Sequence, residues 1–254
     1  MTPTVISVIN SSTRVFEDDV KKMALACGKQ LAQHVAPILG LTPAVEYVPS
    51  GGTATKESCP ATISDTPDVT GALGYHDEDE NAVPYIKVFT ISLDSGGEVL
   101  TGDQAVSVTL SHEILELTGD APANRWADGP GGMDYAFELC DAVEGDTYEI
   151  DGVSVSNFVL PAWFDAKAKP GEKFDYLGKL KAPFTMTAGG YMIVRTEPGR
   201  VSQVFAHHAN RQKDVDVKSA GGGLYLVFGR DFPEHMKAVK VSKALKRRGH
   251  RDGR

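Results

Sequence analysis

The chain has 254 residues, a formal net charge of −8 and an ordinary composition, with 41% hydrophobic and 24% charged residues. This length allows one large domain or a domain with a subdomain. No apolar run approaches the ~20 residues of a membrane-spanning helix, and the first residues, MTPTVISVINSS, lack the basic start and apolar stretch of a secretory signal. These features argue against a membrane partner, and we expect synthesis and folding in the cytoplasm.

Positive charge is concentrated at the end of the chain. Residues 237–254 contain eight Lys or Arg and one acid, Asp252, so the rest of the chain is strongly acidic. We interpret this basic tail as a solvated extension, and contact with nucleic acid or an acidic protein surface is the alternative.

The cysteines argue for a reducing compartment. Cys27, Cys59 and Cys140 are too few and too scattered for a disulfide framework, and none forms a paired metal-binding spacing. They are predicted to be reduced thiols.

The first predicted elements are a strand and a long amphipathic helix. Residues 4–9, TVISVI, form a β-branched run that is typical of a strand. Residues 17–38 repeat apolar side chains at helical spacing, with acids in the first turn and Gly40 after the last. A short strand is predicted at 43–48.

The next segment, 50–69, is rich in Ser, Thr, Gly and Pro and has no apolar period. It is therefore predicted to be a long surface loop. Two strands are predicted after it, at 71–76 and 84–93, with an acidic turn between them.

A second helix is predicted over 103–118. Thr101 and Gln104 stand in the relation of a capping box, and Gly119 marks the end of the helix. The later predicted elements are a short helix at 134–144 and strands at 147–150, 153–160, 191–196, 201–206 and 224–229.

The second helix carries the segment Ser-His-Glu-Ile-Leu-Glu, residues 111–116. Residues four apart lie one above the other on a helix, so His112 and Glu116 project from one face and can bind one metal ion. Glu113 is placed beside them to act as general base on a water held by that ion. This is the logic of the H-E-x-x-H zinc motif, although a glutamate takes the place of its second histidine here.

The order of elements up to this helix, together with the motif, resembles the zincin metallopeptidases. The resemblance implies an α+β fold whose N-terminal half is a mixed sheet with two long helices, the second of which carries the motif. In that family the last strand before the motif helix borders the substrate cleft. We predict a zincin-like metal-binding domain over 1–165, a β-rich subdomain over 166–236 and a basic tail over 237–254.

A catalytic zinc site typically has three protein ligands and a water, so a third ligand is needed. The gluzincin branch takes this ligand from a glutamate on a second helix, and the resemblance then implies Glu138 as a metal ligand. Asp141, one turn later, would orient the free ring nitrogen of His112.

The metzincin branch offers a competing arrangement. Gly119 matches the glycine position of that motif, but its next ligand position is occupied by Pro122, and Asp120 is the nearby acid. We favour Glu138 over Asp120 on ligand geometry.

Zinc is the predicted ion. One imidazole with two carboxylates leaves a bound metal less positive than two imidazoles with one, which weakens zinc binding and acidifies its water less. Manganese and calcium are therefore the alternatives.

Three segments also resemble proteins encoded in tailed-phage and prophage genomes: SHEILELTGD, YAFELCDAVEGDTYEIDGVSVSNFVLPAWF and APFTMTAGGYMIV. This resemblance implies a virion or host-interaction context. The first hypothesis is a metal-dependent hydrolase, a peptidase acting on a peptide or protein. The second is a phage virion structural or assembly protein that contacts other virion proteins and uses a zincin-like scaffold, and the third is a binding domain without metal.

Overall fold

The structure, a computed structural model, describes residues 3–40, 43–69, 71–169, 171–197, 200–206, 213–220, 223–226 and 240–241. Its helical segments are α1 (Glu17–Gln30), a π-helix (Leu31–Val35), α2 (Ala36–Leu39) and α3 (Val106–Asp120), with 3-10 helices at Thr90–Ser95, Pro130–Gly132, Asp141–Val143 and Pro161–Phe164. The strands are β1 (Val5–Asn10), β2 (Ala44–Val48), β3 (Cys59–Ser64), β4 (Gly74–Glu78), β5 (Pro84–Phe89), β6 (Trp126–Asp128), β7 (Asp134–Ala136), β8 (Thr147–Ile150), β9 (Val153–Ser156), β10 (Tyr191–Glu197), β11 (Arg200–Phe205), β12 (Lys213–Ala220), β13 (Gly223–Leu226) and β14 (Lys240–Val241).

The chain divides into two compact units. The first contains Met1–Pro122 and Thr147–Ser156, and the second contains Ala123–Asp146 and Asn157–Arg254. The sequence-based boundary at residue 165 instead places 123–146 and 157–165 in the first domain. Most of the basic tail lies outside the described residues.

The first unit is built on a five-stranded sheet in the order β2-β1-β3-β5-β4. Strands β2, β1, β3 and β5 run parallel, whereas the edge strand β4 runs antiparallel to β5. The predicted α+β class with a mixed sheet is therefore confirmed.

Strand β3 is a correction to the sequence analysis, which assigned all of 50–69 to a loop. Its side chains alternate between buried and half-buried, with Cys59, Ala61 and Ile63 in the core. Pro60 cannot donate to a ladder and argues against a central strand. It is tolerated because pairing with β5 begins only at Ala61, so Pro60 lies where β3 has a single neighbour.

The first helical stretch runs without a break from Glu17 to Leu39, as predicted, and includes a π-helix from Leu31 to Val35. Its predicted apolar stripe is buried, except that Ile38 near the end is 39% exposed. Gln30 is fully buried and donates from Nε2 to the Ser156 carbonyl at 2.9 Å. This contact attaches the helix to the β8–β9 hairpin of the same unit.

Helix α3 begins at Val106, later than predicted, and Thr101 and Gln104 do not form a capping box. Its N-cap is Ala105 without a side-chain cap bond, while the Thr101 hydroxyl instead bonds the Glu98 carboxylate. Nearly every side chain of α3 is buried, including those outside the apolar stripe.

Two serines on α3 hold strand β9 alongside the helix. The Ser107 hydroxyl donates to the Ser154 carbonyl at 2.7 Å, and the Ser111 hydroxyl accepts from the Ser156 amide at 2.7 Å. These bonds satisfy buried backbone groups of β9. They also fix the rotation of α3 about its long axis.

The second unit contains an antiparallel sheet in the order β14-β13-β12-β11-β10-β7-β6. The predicted hairpin strands at 191–196 and 201–206 are formed, but β12 was not predicted. The predicted helix at 134–144 is wrong, since its first part is strand β7. Tyr135 there pairs with Val194 of β10, and Asp134 forms an ion pair with Arg195 of the same strand.

Within the described part of the chain, no helix has the length and apolar character needed to cross a bilayer.

Candidate metal centre

The predicted motif residues lie in the middle of α3 and are all buried. The exposed fractions are 8% for His112, 7% for Glu113 and 5% for Glu116. Ionisable side chains are rarely buried to this extent unless they are paired or bind a metal. The helix is covered by the sheet on one side and by β9 on another, so these polar groups lie inside the first unit.

His112 and Glu116 meet as their helical spacing predicts. The His112 Nε2 atom lies 3.1 Å from Glu116 Oε1. Side chains one turn apart on a helix are neighbours, and packing on both sides of α3 keeps this pair in place.

A second histidine, which the sequence analysis did not consider, joins this pair. His76 lies on the edge strand β4 and is 5% exposed. Its Nδ1 atom is 3.4 Å from Glu113 Oε2 and 3.7 Å from Glu116 Oε2. We refer to His76, His112, Glu113 and Glu116 as the α3 cluster.

Strand β4 reaches the helix closely because residue 74 is a glycine. A Cβ atom at Gly74 would lie 2.7 Å from Thr109 Cγ2 and 3.2 Å from Glu113 Cγ, closer than such contacts normally allow. Residues two apart on a strand share a face, so His76 lies on the same face of β4 as Gly74, the face that packs on α3. No local sequence pattern places His76 beside the motif, because its position depends on the pairing of β4 with β5.

Glu113 lies close to the predicted metal ligand Glu116. His76, Glu113 and Glu116 each offer one ligand atom, and these atoms all lie within 4.8 Å of one another. The cluster therefore holds the predicted general base within the same small volume as the predicted ligand Glu116.

The chemistry of the α3 cluster fits a divalent cation. Two carboxylates that are buried together disfavour each other's ionisation unless positive charge lies between them. Two donors bound to one tetrahedral zinc ion, each at about 2.1 Å, are separated by roughly 3.4 Å. The three measured nitrogen–oxygen distances, 3.1, 3.4 and 3.7 Å, lie around this value, although hydrogen bonds have similar lengths.

The other predicted site residues are placed as follows. Glu138 and Asp141 are buried residues of the second unit, where Glu138 follows β7 and Asp141 begins a 3-10 helix. Residues 134–144 do not form the helix that was expected to carry Glu138. The role of Glu138 as a metal ligand stays a prediction. Asp120 is the last residue of α3 and is buried.

Cys27 and Cys59 are buried and are not reactive thiols of the kind found in catalytic sites. Burial raises the pKa of both Cys27 and Cys59 to about 12. A thiol with such a pKa is protonated at neutral pH and is a poor nucleophile.

Comparison of the chain with protein families, curated proteins and solved structures finds no match. The functional argument therefore depends on the residues of the α3 cluster and on the elements that position them.

Proposed function

We propose that this protein is a metal-dependent hydrolase that cleaves peptides, with its centre on helix α3. The observation that carries the proposal is the α3 cluster itself, in which two imidazoles and two carboxylates are buried and are linked by nitrogen–oxygen distances of 3.1, 3.4 and 3.7 Å. His112 and Glu116 would hold the ion, and Glu113 would act on water.

The arrangement of elements supports a zincin-like architecture. The motif helix lies beside a mixed sheet whose edge strand β4 runs antiparallel to its neighbour β5. Strand β4 precedes the motif helix in the chain and contacts its Glu113, which agrees with the zincin arrangement in which a strand borders the cleft.

Zinc fits this donor set better than calcium or manganese. Imidazole nitrogen is a ligand for zinc, whereas calcium and manganese prefer sites made of oxygen.

A bound divalent ion would supply the Lewis acidity that lowers the pKa of a coordinated water towards neutrality. Glu113 would accept a proton from the attacking water and deliver it to the amide nitrogen as the carbon–nitrogen bond breaks. The carboxylate must be ionised at the start of this cycle. Its buried position next to an imidazole keeps bulk water away from the proton that it carries.

The substitution Glu113→Gln tests the proposal. It removes the base but keeps the size of the side chain, so we expect zinc content to stay the same and cleavage of a quenched fluorescent peptide library to fall about 10²–10⁴-fold. The matched control is Glu149→Gln, because Glu149 is exposed on strand β8 of the same unit.

Cleavage that survives Glu113→Gln unchanged would overturn the assignment of the base. Zinc binding without any cleavage by the wild-type protein would overturn the hydrolase and leave a metal-binding scaffold.

A further inference from the structure

We propose that His76 is a positioning residue for the base. Its Nδ1–H group holds one oxygen of the Glu113 carboxylate and leaves the other oxygen to accept the proton from water. This inference rests on the proposed function and extends it to a residue outside the motif. His76 acts through Glu113 and does not bind the ion.

The Glu113 carboxylate accepts a hydrogen bond from His76. The His76 Nδ1 atom lies 3.4 Å from Glu113 Oε2, whereas its distance of 3.7 Å from Glu116 Oε2 is too long for a hydrogen bond. An ionised carboxylate only accepts hydrogen bonds, so Nδ1 carries the hydrogen in this contact. Among the described residues, Glu113 Oε1 has no hydrogen-bond partner, and it is the oxygen that remains for water.

Strand β4 contacts the Glu113 side chain at two points. The backbone at Gly74 packs against the stem of this side chain, since a Cβ atom at residue 74 would lie only 3.2 Å from Glu113 Cγ. Two residues later on the same face, His76 reaches the carboxylate. Pairing of His76 with Ile86 of β5 fixes the register of the strand. The sheet therefore holds both ends of a side chain that is free to adopt several rotamers in the unfolded chain.

The ligand atoms of the α3 cluster separate His76 from the proposed ion. In the described part of the chain, the atoms of His76 converge with those of Glu113 and Glu116, and no converging group contains both His76 and His112. An ion held by His112 Nε2 and Glu116 Oε1, which lie 3.1 Å apart, therefore leaves His76 Nδ1 to Glu113. A ring nitrogen that bound the ion would have no hydrogen to donate to this carboxylate.

The position of the base affects the rate because proton transfer requires it to lie within hydrogen-bond reach of the attacking water. A misplacement of about 1 Å can cost roughly 100-fold in rate. Loss of the His76 donor should therefore lower kcat, while the zinc content and KM stay the same, because His76 touches neither the ion nor the substrate.

The test compares two substitutions of equal shape in the full-length, zinc-loaded protein. Asparagine at position 76 keeps an N–H donor where Nδ1 lies, whereas leucine has no donor. For a quenched fluorescent peptide that the wild-type protein cleaves, we expect His76→Leu to lower kcat about 10–100-fold without changing KM. His76→Asn should keep kcat close to the wild-type value. The control His34→Asn replaces a half-buried histidine of the π-helix and should also keep it.

A double mutant separates a role through Glu113 from an independent role. The base is already removed in Glu113→Gln, so adding His76→Leu to this variant should lower kcat no further. An equal loss of kcat with and without Glu113 would mean that His76 acts by another route, and it would overturn the proposal.

Nitrogen NMR of the zinc-loaded wild-type protein tests the same contact without relying on the folding of His76→Leu. We expect the His76 ring to carry a hydrogen on Nδ1, in a signal that is assigned by its loss from His76→Asn. Absence of this hydrogen, or loss of zinc from folded His76→Leu, would indicate that His76 binds the ion and would overturn the positioning role.

The outcomes distinguish the two proposals. If the wild-type protein cleaves peptides and His76→Leu cleaves them with the same kcat, His76 does not position the base but the proposed hydrolase stands. If the wild-type protein cleaves no peptide, both proposals are overturned.

Discussion

Two polar clusters of the first unit both contain carboxylates but differ in what surrounds each carboxylate. In the first, the Asp65 cluster, the Asp65 carboxylate accepts hydrogen bonds from Ser12, Thr13 and Thr90, including one from the Thr13 amide at 2.9 Å and one from the Thr90 hydroxyl at 3.1 Å. In the α3 cluster, the two carboxylates face imidazoles and each other.

The Asp65 cluster is structural. Its members follow β1, β3 and β5 at the carboxyl ends of these parallel strands, and the hydrogen bonds tie three loops together. Burial alone would raise the pKa of Asp65, but the hydrogen bonds outweigh it and lower the pKa to about 2. A carboxylate supplied with neutral donors in this way needs no cation.

The α3 cluster has different partners. Its paired groups are imidazoles, which bind metals as readily as they donate, and its two carboxylates are both more deeply buried than Asp65. We infer from this difference that the partners of a carboxylate, rather than the carboxylate itself, distinguish a candidate metal site from a structural contact between loops.

The largest effect should come from Glu116→Gln. Glu116 faces both imidazoles, so we expect zinc affinity to fall more than about 100-fold. The metal-free protein should be about as stable as the wild type or more stable, because glutamine keeps the size of the side chain and removes one of two neighbouring buried carboxylates. Chelator competition and metal-free thermal unfolding measure the two effects.

If Glu116→Gln binds zinc with wild-type affinity, the proposed difference between a metal-binding cluster and a structural cluster is wrong. A large loss of stability in the metal-free variant would also contradict this difference, because such a loss is expected of a structural carboxylate. Glu149→Gln serves again as the exposed control.

An intermediate effect is expected from Gly74→Ala. The added methyl group would press on Thr109 and on the Lys87 carbonyl, so β4 must move away from α3. We expect a loss of about 1–3 kcal/mol in the free energy of unfolding, as overpacking usually causes. Zinc affinity should fall as well, because movement of β4 disturbs the packing around Glu113.

Gly28→Ala is the matched control for that substitution. A Cβ atom at Gly28 would lie 3.7 Å from Val45 Cβ, an ordinary contact, and alanine is a better helix former than glycine. This variant should keep its zinc affinity and gain up to about 1 kcal/mol of stability. Equal behaviour of the two alanine variants in denaturant unfolding would show that β4 does not depend on Gly74.

The smallest effect should come from Asp65→Asn, which we expect to cost about 1 kcal/mol at neutral pH. The pKa of Asp65 is lower in the folded than in the unfolded chain, so its ionised form stabilises the fold above pH ~4. That contribution is lost as pH falls towards 2. Unfolding measured between pH 5 and 2 should be less pH-dependent in Asp65→Asn than in the wild type.

Zinc affinity should stay at the wild-type value in Asp65→Asn. A loss of zinc affinity in this variant would mean that the two clusters are not independent.

Local sequence patterns were enough to predict that His112 and Glu116 lie side by side on one helix. The spacing of His112 and Glu116 follows from helix geometry alone, and the helix was recognisable from its apolar residues. The start of α3 was predicted too early, because Thr101 bonds Glu98 rather than capping the helix.

The parts that depend on pairing between distant segments could not be predicted. His76 reaches the cluster only because β4 pairs with β5 in one register and packs on α3, which no local pattern reveals. Strand β3 was missed because its segment is rich in Ser, Thr and Pro, which are typical of loops. The segment carrying Glu138 has apolar residues at helical spacing, yet pairing of β7 with β6 and β10 overrides that preference.

The most direct test of the metal centre is anomalous X-ray diffraction at the zinc absorption edge, from crystals of the full chain grown with zinc chloride. We predict one strong anomalous peak on α3, within bonding distance of His112 and Glu116. The absence of a peak there, or a zinc ion bound only by surface residues, would contradict the assignment of a metal centre to this helix.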